Sequence, residues 1–124
     1  LSVMPIESAK YPRVAKAVND ALAQARVTGV DETEMSKVSL EVVQLQIECD
    51  DLTPSCFQAA GKAIHADRLL FAQIAPAPKR HVDVTVTLFD VDGSAVPHTA
   101  HDVFKNAADA VAGVGKLVSE ATTP

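Results

Sequence analysis

One stretch, HVDVTVTLFDV at residues 81–91, constrains the fold most strongly because polar and apolar side chains alternate along it. Alternation at every second position is the pattern of a β-strand, and it places Val82, Val84, Val86 and Leu88 on one face. The polar side chains between them lie on the other face. The sequence therefore predicts a β-sheet as the framework of the fold.

Three further strands are expected around this one, at residues 1–6, 27–30 and 68–75. The Ala-Pro-Ala-Pro motif at residues 75–78 is expected to break the third of them. Asp92 and Gly93 follow the alternating strand, and Asp-Gly is the strongest short hairpin signal. Residues 94–104 are thus expected to return antiparallel as an edge strand, where Pro97 is tolerated because an edge needs fewer amide hydrogen bonds.

Four helices are expected, at residues 9–26, 40–47, 54–65 and 107–121. In the first, apolar residues recur at intervals of three and four, which is helical spacing. The third opens on Thr53 and Pro54, a capping residue followed by a proline at the first helical position. The predicted fold class is α/β (α+β), with a mixed sheet of about five strands, helices packed on it and the element order β-α-β-α-α-β-β-β-α. The crossover rule places the first two strands parallel and adjacent.

Length and charge restrict the classes of function. The 124 residues suit a single α/β domain, 1–124, and 11 basic against 16 acidic residues give a net charge of -5. Such a charge repels a phosphate backbone, so no nucleic-acid partner is expected. No apolar run is long enough for a transmembrane segment. Because the chain starts at Leu1 and not at methionine, we expect it to be the exported part of a longer precursor or multidomain protein.

The two cysteines have six residues between them, with Cys49 just after the second predicted helix and Cys56 in the first turn of the third. The short loop between them allows the approach that a disulfide requires. Cys56 also lies where helix amides favour a thiolate, which suits a redox or nucleophilic role, although the acidic residues Glu48, Asp50 and Asp51 disfavour it. A zinc site would need two more ligands at suitable spacing, and the four histidines are scattered.

Other motifs that suggest chemistry are incomplete. His98 and His101 lie three apart on a predicted strand, so they point to opposite faces and do not chelate a metal together. Residues 90–93 resemble the start of a calcium loop but lack its later ligands, and residues 113–116 resemble the end of a phosphate loop but lie in a helical pattern. No standard catalytic motif occurs. We therefore expect no enzyme activity, no cofactor and no metal.

Three segments together resemble a domain of Gram-negative envelope proteins: LSVMPIES, TPSCFQAAGKAIHADRLLFAQI and VTVTLFDVDGSAV. The chain resembles the amino-terminal domain of TolB and the LpoB-type and CsgG-type envelope lipoproteins. That resemblance implies a periplasmic, non-enzymatic interaction or scaffold module, anchored through a preceding segment or free. It also implies a Cys49–Cys56 disulfide and docking on a larger envelope assembly, such as a secretion, motility or cell-wall machine.

Two functional hypotheses follow. In the first, the predicted edge strand accepts a strand of a partner protein or of another copy, and the residues expected to bind it are Val96, His98, Thr99, Ala100 and His101. The alternative is a small thiol-dependent redox protein or enzyme. There, Cys56 acts as the nucleophile with His65 or Lys62 of the same helix as its assistant.

Overall fold

The computed structural model describes residues 2–6, 10–25, 34–35, 40–49, 53–91 and 98–122. Its sheet has the strand order β2-β1-β3-β4-β5. The elements, in chain order, are β1 (Ser2–Val3), α1 (Pro12–Gln24), β2 (Glu34–Met35), α2 (Leu40–Gln46), α3 (Pro54–Ala63), β3 (Arg68–Ala77), β4 (His81–Asp90), β5 (His98–Phe104) and α4 (Ala107–Thr122). A short turn, Pro78–Arg80, joins β3 to β4.

The sheet is mixed, which confirms the α/β class. β1 runs parallel to both β2 and β3, whereas β3, β4 and β5 are antiparallel. The prediction of about five strands of sheet needs a correction, because only β3, β4 and β5 are long. The strands β1 and β2 contribute two residues each. The framework is thus a three-stranded antiparallel sheet with a short parallel extension at one side.

Helices pack on both faces of the sheet because β3 is apolar on both. Leu70 and Ala72 face a core formed with α1 and α4, and the valines of β4 join the same core. Leu69 and Phe71 face a second core, which includes Phe57 of α3. Phe57 and Phe71 stack at a tilt with ring centroids 4.9 Å apart. A continuous apolar run such as that in β3 is typical of a central strand with both faces covered.

Two of the predicted strands fall wholly or partly on residues that the structure does not describe. Residues 27–30, expected to form the second strand, lie outside the described residues, and the strand that pairs parallel with β1 is Glu34–Met35. The hairpin turn at Asp92 and Gly93 and the first residues of the edge strand, 94–97, also lie outside them. The described part of the edge strand is β5, which pairs antiparallel with β4 as expected.

The strand ends within residues 75–78 but two residues later than predicted, because β3 continues through Pro76 to Ala77 and the turn begins at Pro78. The hydrogen bond from the Val91 N–H to the Asp67 carbonyl, 2.8 Å, shows that odd-numbered residues of β3 and β4 bond to each other. Even-numbered residues of β3 turn their main-chain groups away from β4, and Leu70 accepts the Met4 N–H on that side. Pro76 is even-numbered and lies past the pairing with β1, so its missing N–H costs no sheet hydrogen bond.

Candidate functional site

The cysteine pair lies at the start of α3. Cys49 and Cys56 form a disulfide with their Cα atoms 6.0 Å apart, so the chain has no free thiol. Thr53 caps the helix as its sequence predicts, since its Oγ1 accepts the Cys56 N–H at 3.2 Å. Cys56 is 3% exposed, so its half of the disulfide faces the interior. This arrangement joins the loop after α2 to the first turn of α3.

The structure provides no reactive thiol at Cys56 for the alternative hypothesis of a thiol-dependent protein. Lys62 follows Cys56 by six residues on α3, which at the helical rise places it about 9 Å further along the axis. His65 is not on the same helix, because α3 ends at Ala63. Both side chains are exposed, whereas Cys56 is buried and bonded. The structure therefore does not bring together the residues that the thiol mechanism would need.

The outer edge of β5 presents main-chain groups in a pattern that the β4 pairing determines. Since odd-numbered residues of β4 bond to β3, its even-numbered residues bond to β5. Their partners in β5 are also even-numbered, as in the pairs Val86–Ala100 and Leu88–His98. Thr99, His101 and Val103 therefore direct their N–H and C=O groups away from the sheet, where no described strand pairs with them.

Val103 supports this assignment independently. Its N–H donates to the carboxylate Oδ1 of the preceding residue, Asp102, at 2.8 Å, so it does not point toward β4. The acidic side chain thus occupies one edge amide, a common way of shielding an edge strand. The outward amides of Thr99 and His101 have no such shield among the described residues.

The predicted binding residues consequently fall into two groups. Thr99 and His101 present main-chain groups to a partner, whereas those of His98 and Ala100 are used in the ladder with β4. Val96 lies outside the described residues. The sequence predicts where the edge strand lies. Which of its residues turn their main-chain groups outward follows only from the hydrogen-bond pairing between β3 and β4.

The two histidines of β5 point to opposite faces, as predicted. His98 donates from Nδ1 to the Ala121 carbonyl of α4 at 2.6 Å, which ties the start of β5 to the end of that helix. His101 donates from Nε2 to Oδ1 of Asp83 on β4 at 2.7 Å, on the face opposite α4. In the part of the chain that the structure describes, no group of three His, Cys, Asp or Glu side chains is arranged to hold a metal ion.

The face of the sheet opposite α4 is covered over only part of its area. Its apolar part, around Phe71, lies against α3. Beyond it, the side chains on this face are polar and partly or fully exposed, including Gln73, Thr85 and His101. Val103, which is 41% exposed, adds an apolar group next to them. No described helix covers this part of the sheet.

An open cleft of about 510 Å³ lies between the amino-terminal halves of α1 and α4. Small apolar side chains, such as Ala17 and Ala107, line it, and Arg13 and Lys16 stand beside them. Lys16 already pairs with Asp20 at 3.0 Å. No helix among the described residues is long and apolar enough to cross a membrane.

Comparison with known proteins adds information about the fold. No family model matches the chain, and no curated protein matches it. The fold is LpoB-like. A solved structure of the LpoB C-terminal domain from Salmonella enterica aligns with a TM-score of 0.51, covering 86% of this chain and 78% of that one at 14% sequence identity. Such low identity shows the fold alone, and it supports the LpoB type among the three types expected, not TolB or CsgG.

Proposed function

We propose that this chain is a non-enzymatic module of the bacterial cell envelope that binds a partner protein by adding a strand to β5. The observation that carries the proposal is the outward pair of main-chain groups at Thr99 and His101. Strand addition obtains its affinity from such groups and its specificity from the alternate side chains beside them. The partner belongs to a larger envelope assembly, such as a secretion, motility or cell-wall machine.

Two findings support the periplasm as the compartment. Disulfides persist in oxidising compartments, and the Cys49–Cys56 bond closes a loop at the start of α3. The LpoB-like fold agrees, because the sequence resemblance is to envelope lipoproteins of that type. An anchor on a preceding segment fits the same proposal.

A pair of proline variants tests the binding edge. Photocrosslinking from position 101 in the envelope fraction identifies a candidate partner, which is then purified and titrated against the wild-type chain. Thr99→Pro removes an outward N–H and is expected to weaken binding at least about tenfold while the fold survives, because one main-chain hydrogen bond and the strand's fit are lost. Thr99→Val is the matched control, since it keeps the N–H and loses only the hydroxyl.

Ala100→Pro serves as the opposite control. Ala100 bonds to Val86 of β4, so proline there removes a ladder hydrogen bond and is expected to lower the free energy of unfolding. Circular dichroism on thermal unfolding separates the two effects. If the Thr99→Pro chain is folded and binds the partner as tightly as Thr99→Val, the partner does not pair with β5 and the proposal fails.

A further inference from the structure

The turn between β3 and β4 has an unusual backbone for its sequence. Lys79 has φ 61° and ψ 33°, and Arg80 has φ 63°, so two consecutive non-glycine residues are left-handed. The His81 N–H donates to the Pro78 carbonyl across them. Positive φ at both central positions is the feature of a type I′ turn, which Asn-Gly fills with least strain.

Lysine and arginine therefore occupy turn positions whose left-handed backbone conformation they adopt less readily than Asn or Gly. Their Cβ atoms crowd the backbone in the left-handed region, whereas Asn and Gly tolerate it. Residues that oppose local preference without a structural reason are found mostly at functional sites. Both residues are exposed, and neither makes an ion pair or a side-chain hydrogen bond with any residue that the structure describes. Nothing within the described fold explains their identity.

The turn is also held in a fixed position. The two strands that carry it pair over ten residues each, and they extend one pair beyond the end of β5 at Phe104. Pro76 and Pro78 restrict φ on the approach to the turn. A partner that binds this tip thus loses little conformational entropy in ordering it.

We propose that Lys79 and Arg80 form an anion-binding tip that contacts paired carboxylates on an acidic segment of a protein partner. Arginine binds a carboxylate through two parallel N–H groups, and lysine adds a second positive charge beside it. This proposal deepens the proposed function and rests on it, because the tip lies at one end of the same three-stranded sheet as β5.

The charge of the remaining chain favours a protein segment over a membrane surface. Removing these two cations from a net charge of -5 leaves -7, which an extended anionic bilayer would repel. A short acidic segment contacts only the tip, and at physiological salt it is screened from charges more than about 8 Å away. Two cations are also fewer than the roughly four to eight typical of membrane-binding clusters.

Titration of the ¹⁵N-labelled chain by nuclear magnetic resonance tests this tip. The probe is a synthetic hexapeptide of alternating glutamate and aspartate, and the control peptide has glutamine and asparagine in their place. We expect the acidic peptide to shift the amide resonances of Lys79, Arg80 and His81 more than those of Lys62 and Lys116, and salt to weaken the effect. Equal or smaller shifts at the tip overturn the proposal.

A variant pair separates binding from folding. Lys79→Asn with Arg80→Gly places Asn-Gly in the turn, so it is expected to raise the midpoint of thermal unfolding while weakening peptide binding about tenfold. Lys62→Gln with Lys116→Gln removes the same charge from α3 and α4 and is expected to keep tip binding within about twofold. If both variants bind equally well, the effect is one of net charge and the tip is not a site.

A vesicle titration distinguishes a lipid from a protein segment as the source of the anion. Binding to vesicles of one part phosphatidylglycerol and three parts phosphatidylethanolamine, without binding to the peptide, would overturn the protein-segment proposal in favour of a lipid. Thr99→Pro is expected to leave the peptide titration unchanged, since Thr99 lies on β5, five residues before the end of that strand nearest the tip. The peptide titration therefore tests the anion-binding tip, and the Thr99→Pro partner titration tests strand addition to β5, so either proposal can fail without the other.

Discussion

Gly61 of α3 lies directly against Val91, the residue that follows β4, and its replacement by alanine is a sharp test of this packing. A Cβ atom at position 61 would collide with Val91 Cγ2 and lie 3.0 Å from Cγ1 and 3.2 Å from Cβ. Val91 is 1% exposed, and its β-branched side chain has little freedom to turn aside. Either the helix or the end of β4 must therefore move.

The size of the effect follows from two opposing terms. Alanine in a helix interior is more favourable than glycine by about 1 kcal/mol, whereas an extra methyl group in a packed core costs about 1 to 3 kcal/mol. Gly61→Ala is thus expected to lower the free energy of unfolding by up to about 2 kcal/mol. Gly115 of α4 is the matched control, because a Cβ atom there meets nothing within 4 Å. Gly115→Ala is expected to raise the free energy of unfolding by about 1 kcal/mol.

Urea unfolding followed by circular dichroism measures both variants under the same conditions. A double-mutant cycle then identifies the cause: Val91→Ala makes room for the new methyl group, so the double variant with Gly61→Ala should be more stable than the sum of the single effects predicts by about 1 kcal/mol. If Gly61→Ala is as stable as Gly115→Ala, or if the cycle shows no coupling, the close approach of α3 to Val91 is not what limits position 61.

Two more variants test the connections outside the sheet. Cys49→Ser with Cys56→Ser opens a short loop and is expected to lower the free energy of unfolding by about 2 kcal/mol on the chain-entropy account; mass analysis after alkylation, with and without reduction, checks that the wild-type bond is formed. Asn19 of α1 bonds to both the N–H and the C=O of Ile6, each at 2.9 Å. Asn19→Asp keeps the acceptor and loses the donor, so chemical denaturation should show a loss of about 1 kcal/mol, and an unchanged stability would contradict this contact's role.

The helices were the part of the fold that sequence predicted best, because their signals are local. The periodic spacing of apolar residues located α1 and α4, and the Thr53–Pro54 start located the first residue of α3. The alternating strand was also found, since the α1 and α4 side of β4 is apolar while its other face is mostly polar. The signal for each helix depends on residues within about two helical turns, and the signal for the strand depends on residues a few positions away.

The features that sequence did not predict depend on pairing between distant segments. Pro76 can remain within β3 because of its hydrogen-bonding direction and the short length of β1, and neither is visible in the local motif. Likewise, the choice of Thr99 and His101 over Ala100 follows from a bond between Asp67 and Val91. The turn at Lys79 and Arg80 was missed for a different reason: its two positive φ values go against the local preference of Lys and Arg, so the residues there do not signal it.

The lengths of the helices explain why one part of the sheet is left open and what a strand added to β5 would have to be. α3 has 10 residues and spans about 15 Å, whereas each ten-residue strand of β3 and β4 spans about 33 Å. Even if it lay along the strands, α3 would therefore cover less than half of their length, and apart from Val103 the uncovered part is polar. α4 packs on β4 and β5 from the opposite face. A partner strand beside β5 would meet α4 on one face and solvent on the other, so its side chains should alternate between small apolar and polar residues.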